Sequence, residues 1–77
     1  MHAKAQLFYR GTNEEEILRS IRESPWEDAK HGRKQSRLDI PYGKEWNGKH
    51  YGTKQICPVF IEENREIVVA TVYVYYF

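Results

Sequence analysis

Six side chains along this sequence could do chemistry on a phosphate without help from a metal: His2, Arg33, Arg37, Lys54, Tyr73 and Tyr75. RNA cleavage asks for a base to activate the ribose 2′-OH, cations to stabilise the crowded phosphorus and an acid for the leaving oxygen. Arginine, lysine, histidine and tyrosine cover all three roles. Around them lie Lys30, Lys34, Lys44 and Lys49, interleaved with Trp46 and Tyr51, the mixture that stacks bases and neutralises phosphates. Other chemistries find no support. His2, His31, His50 and Cys57 are not at ligand spacing, so no metal is expected. No phosphate-binding loop, dinucleotide fingerprint or hydrolase elbow occurs, and no cofactor is expected. Cys57, between Ile56 and Pro58, has the setting of a buried small hydrophobe.

The elements that must hold these groups follow from a chain of 77 residues, 40% of them hydrophobic, with a net charge of +1. That length predicts a single domain over residues 1–77 with a modest core. No apolar run approaches the roughly 20 residues of a membrane helix. The opening residues lack a secretory pattern, and one cysteine fits a reducing compartment, so a cytoplasmic protein with no membrane partner is expected. The near-zero charge conceals a segregation. Residues 14–28 hold six acids against Arg19 and Arg22, while residues 30–54 hold seven Lys and Arg against Asp39 and Glu45. Such a split points to a polyanionic partner for the basic stretch.

Residues 2–10 can form a short helix stopped by Gly11. Asn13 is placed as an N-cap with Glu16 three residues on, predicting a second helix over 14–23 that ends at Ser24-Pro25. Its stripe is Ile17, Leu18 and Ile21. Strands are predicted near 34–40, stopped by Pro41 and Gly43, then over 51–62 and 66–77, with Asn47-Gly48 as a hairpin turn. The expected fold is α+β: two N-terminal helices on a three-stranded, or slightly larger, antiparallel sheet. If Asn64-Arg65 is a two-residue loop, Cys57, Val59 and Ile61 share a face with Val68, Ala70 and Val72, suited to receive the helix. Lys54, Ile56 and Phe60 then join Val69, Thr71, Tyr73 and Tyr75 on the other face. A longer loop would mix the two sets. Pro58, which cannot donate, should turn its nitrogen away from a partner strand or sit at a bulge.

Several short motifs go together: His2-Ala3, Arg10-Gly11 followed by Glu14-Glu15-Glu16-Ile17, Ile21, Pro25, Gly32-Arg33, Trp46-Asn47-Gly48-Lys49-His50-Tyr51, Lys54-Gln55-Ile56 and Thr71-Val72-Tyr73. Together they resemble a widespread family of small prokaryotic domains that is similar to a branch of the RelE/ParE toxin superfamily. The resemblance implies a toxin of a type II toxin–antitoxin pair, partnered by a small antitoxin encoded nearby. In the RelE branch it implies metal-independent cleavage of ribosome-bound mRNA, with Arg33, Arg37, Lys54 and Tyr73 at the matching positions and His2 as a family-pattern residue. ParE-type relatives act on gyrase instead. A non-catalytic module that binds RNA or protein through the same basic and aromatic sheet face is the alternative. RelE-type domains begin with a strand, whereas a helix is expected at the start here.

Overall fold

The computed structural model describes residues 2–4 and 11–77. Asn13 opens the one α-helix among them, α1 (Glu14–Glu23). Its backbone is extended, and its side-chain oxygen accepts the Glu16 N–H at 2.9 Å, as the N-cap pattern predicts. Glu14, Glu15 and Glu16 occupy the positive end of the helix dipole. Ser24, ahead of Pro25, is already extended and ends the helix where expected. The buried stripe is Ile17, Ser20 and Ile21, with Leu18 only half-buried. No helix of the described residues is long and apolar enough to cross a membrane.

The remainder is dominated by sheet. The strands are β1 (His2–Lys4), β2 (Glu27–Asp28), β3 (Lys34–Gln35), β4 (Leu38–Trp46), β5 (Lys49–Glu63) and β6 (Glu66–Tyr76), with a single 3₁₀ turn at Lys30–Gly32. They lie in the order β1-β6-β5-β3-β2, and β4 also pairs with β5, on the same side as β3. Every pairing is antiparallel except β1 with β6.

This corrects the expected two helices on a small antiparallel sheet. His2–Lys4 is not helical: it pairs in parallel with Glu66–Val68, and the rest of that expected helix, residues 5–10, lies outside the described residues. Residues 2–4 carry no apolar stripe for a helix to bury, while the edge of β6 offers unpaired backbone groups that recruit a strand.

Residues 34–41 run beside β5 as two strands in one register. Lys34 faces Phe60, Gln35 faces Val59 and Leu38 faces Ile56. The break at Ser36 and Arg37 has a single cause. Ser36 N–H donates to the Pro58 carbonyl at 3.3 Å, and the reciprocal donor would be the Pro58 nitrogen, which has no hydrogen. Pro58 therefore faces a partner strand and splits it. Pro41 does not stop β4, an edge strand in the described chain where a missing donor is tolerated; the register shifts between Pro41 and Lys44.

The β5–β6 turn is a two-residue loop, the first of the two alternatives weighed from the sequence. Asn64 (φ 48°) and Arg65 (φ 64°) make the left-handed pair of a type I′ turn. Pairing runs as expected as far as Phe60–Val69, after which Ala70 is left out and Val59 faces Thr71. This bulge reverses the face assignment of everything later in β6. The helix covers Ile56, Phe60, Ile67 and Val69, with Ile40, Val72 and Val74 packed at the margin. Cys57 and Val59 instead share the opposite face with Thr71, Tyr73 and Tyr75. The Ser20 and Ser36 hydroxyls meet at 2.9 Å within the buried layer, so neither is left unsatisfied.

Candidate nucleic-acid interface

On the face the helix leaves bare, the ladder stacks side chains in three rows across β4, β5 and β6. Arg37, Cys57 and Tyr73 form the first, Asp39, Gln55 and Tyr75 the second, and Pro41, Thr53 and Phe77 the third. Arg37 lies in the break between β3 and β4, where the register continues unchanged. Tyr73 and Tyr75 on β6 and Phe77, which continues its ladder by one residue, fall at every second position and so point one way. They are 51%, 49% and 59% exposed. The Tyr73 and Tyr75 rings are near-parallel, 19° apart in plane with centroids at 6.3 Å. Beside them, Gln55 Nε2 donates to Asp39 Oδ1 at 2.9 Å. Arg37 Nε lies 3.3 Å from Glu27 Oε1 with both side chains half-exposed. Cys57 is buried beneath this layer; burial pushes its thiol pKa up, and the nearby Arg37 charge opposes that only in part.

A second aromatic group lies on the arm formed by β4 and β5. The turn Asn47 (φ 54°) and Gly48 (φ 84°) closes it, with Trp46 opposite Lys49. Trp46 stacks on Tyr76, centroids 5.0 Å apart and planes within 21°. Tyr42 and Tyr51 pack against the same ring at 5.0 and 5.7 Å. Lys44 Nζ sits 5.8 Å from the Tyr42 centroid and Lys49 Nζ 5.7 Å from that of Tyr51. These distances allow cation–π attraction. Burial pushes the Tyr76 hydroxyl pKa up.

No family model, curated protein or solved structure matches this chain. The residues singled out from sequence fall into separate groups. Arg37, Tyr73 and Tyr75 share the bare face, and Lys44, Trp46, Lys49 and Tyr51 share the arm. Lys54 lies on the helix side, held by Glu16 at 2.9 Å. Arg33 follows the 3₁₀ turn and is half-buried, while Lys30 is exposed within that turn. Lys34 is paired to Asp28, and the ammonium holds that carboxyl below its usual pKa. His2 is opposite Glu66 on the far edge of β6. The proposed cutting set is therefore distributed over two faces and two edges. Among the described residues no group of three or more His, Cys, Asp or Glu is placed to hold a metal ion.

Phe77, Gln55 and Asp39 belong to the bare face but were not among the residues picked from sequence. The alternation Tyr73, Tyr75, Phe77 was a visible signal for the first. The other two became visible only through the register.

Proposed function

We propose that the bare face binds single-stranded RNA by stacking, without cutting it. The observation that carries this reading is the row Tyr73, Tyr75 and Phe77, two exposed rings on one face of β6 and a third just past its end, where Phe77 continues the ladder opposite Thr53. A base-stacking platform needs that arrangement: a sheet with one face buried by a helix and aromatic rings standing on the other. Arg37, whose ion pair with Glu27 is half-exposed and so readily exchanged, supplies a cation for phosphate. Asp39 and Gln55 supply an acceptor and a donor beside Tyr75, suited to a ribose hydroxyl or a base edge. The exposed acids Glu14 and Glu15 belong to the helix on the far side of the sheet, which keeps their repulsion away from the ligand. Cleavage is less well served. Lys54 is committed to Glu16 on the other face, leaving Arg37, Tyr73 and Tyr75 on the bare one and the lysine and histidine of the cutting set elsewhere. A cytoplasmic location is compatible with such a partner and with the single free cysteine.

The test is fluorescence anisotropy of a labelled single-stranded RNA titrated with the protein at increasing salt, with the RNA recovered afterwards on a denaturing gel. Binding should weaken as salt rises, and the RNA should stay intact. Tyr73→Ala and Tyr75→Ala should each lower affinity by about 5- to 150-fold, from a stacking contribution of roughly 1–3 kcal/mol per base. Absence of binding at low salt, or binding by both variants as tight as by the wild type, overturns the proposal. A cut product, with growth arrest on induction, replaces it with the nuclease reading.

A further inference from the structure

We infer that the RNA path continues from the sheet face onto the β4–β5 arm, where Trp46 is a further stacking platform and Lys44 and Lys49 meet phosphates. This rests on the proposed binding of RNA by the bare face. The three rows end at the Thr53–Phe77 rung, whose two backbone hydrogen bonds measure 2.8 and 3.0 Å. Beyond it, among the described residues, the arm is a two-stranded ribbon. A ribbon that narrow lets a flexible strand pass from one face to the other, as the path requires, because Trp46 rests on Tyr76 and Tyr76 is on the helix side of β6.

Trp46 is 41% exposed although one ring face is already spent on Tyr76. Tyr42 and Tyr51, packed against Tyr76, fix the platform from both strands of the arm. Lys44 and Lys49 lie over the outer tyrosines with no carboxylate partner among the described residues, so their ammonium groups remain available to an anion. An indole flanked by two unpaired ammonium groups matches the repeating base and phosphate of a nucleic-acid strand.

Length makes the inference measurable. At about 3.3 Å per residue, the rows at Cys57, Gln55 and Thr53 span ~13 Å, and the arm adds a further ~13 Å to Lys49. A stacked strand rising ~3.4 Å per nucleotide covers the first stretch with roughly four nucleotides and both with roughly eight. A labelled oligouridylate of four nucleotides should therefore use the sheet face alone, and one of twelve should use both.

The experiment titrates both oligomers with the wild-type protein, Trp46→Ala, Trp46→Phe and the double variant Lys44→Ala/Lys49→Ala, with folding checked by circular dichroism. The twelve-mer should bind the wild type at least tenfold more tightly than the four-mer. Trp46→Ala should lose about tenfold for the twelve-mer and nothing for the four-mer, and the lysine double variant should show the same selectivity. If Trp46→Ala unsettles the arm, Trp46→Phe and the lysine variant carry the decision, since both keep the aromatic packing. Twelve-mer affinity unchanged in every folded variant overturns the inference while leaving the sheet-face reading intact. Failure of the wild type to bind either oligomer overturns that reading itself.

Discussion

Lys54 Nζ and Glu16 Oε1 lie 2.9 Å apart, a cross-link from the central strand to the first turn of the helix. The lysine is 12% and the glutamate 23% exposed, and Glu16 also accepts from the Thr12 hydroxyl at 2.9 Å. Removing one partner leaves a mostly desolvated charge behind. Lys54→Met or Glu16→Leu alone should cost about 1–3 kcal/mol. The double variant should recover most of that, because no charge is then stranded. Urea unfolding of the four proteins checks the cycle, and equal losses that simply add would refute the coupling. Under native conditions Lys54→Met should leave affinity for the four-nucleotide RNA unchanged, since its side chain is on the face away from Tyr73 and Tyr75.

Gly11 should resist substitution for two reasons that can be separated. Its φ of +74° disfavours any side chain, and a Cβ there would collide with the Tyr76 hydroxyl oxygen. Gly11→Ala should lower stability by more than about 1 kcal/mol, which is about 4–8 °C in Tm for a domain this size. Adding Tyr76→Phe removes the oxygen in the way and should restore part of the loss, the backbone strain remaining. A double variant no more stable than Gly11→Ala would show that the collision contributes nothing.

Arg65 occupies a left-handed position that favours glycine. Arg65→Gly converts the β5–β6 turn to the Asn-Gly pair preferred in type I′ geometry and should stabilise the domain by about 0.5–1 kcal/mol. Thermal melts decide this, and a lower Tm would contradict the turn assignment.

Stability should fall in alkali. Burial raises the Cys57 and Tyr76 pKa values in the native state. An unfolded cysteine ionises near ~8.5 and an unfolded tyrosine near ~10. Above those values the unfolded chain releases protons that the native chain retains, so the stabilisation complete below pH ~8.5 is lost as pH rises through the native pKa values. Urea midpoints measured from pH 7 to 11 should decline, and Cys57→Ala should flatten the earlier part of the decline. A midpoint that rises with pH would refute the direction.

The helix and the Asn47-Gly48 turn were legible because their signals are local: Asn13 with Glu16, Ser24 before Pro25 and Asn47-Gly48 each act within four residues, whereas the length of the Asn64-Arg65 loop was left open. Strand β6 was legible from its β-branched and aromatic run. What escaped was set by pairing partners distant in sequence. Nothing in His2–Lys4 names Glu66–Val68 as its neighbour, and the missing hydrogen of Pro58 has its effect at Ser36 on another strand. The candidate site was half legible for the same reason. Its tyrosines stood out by type, but whether they shared a face with Lys54 depended on Ala70, a residue that looks like any other in its strand.

That spare residue has an evolutionary corollary. In an unbroken ladder, loss of one codon turns every later side chain to the opposite side. Here a single-codon deletion at the bulge would be absorbed: the remaining residues would close into plain antiparallel pairing, and Val72 to Phe77 would keep the partners they already have. The aromatic row is thus insulated from the kind of length mutation that most readily erases a surface built on alternation.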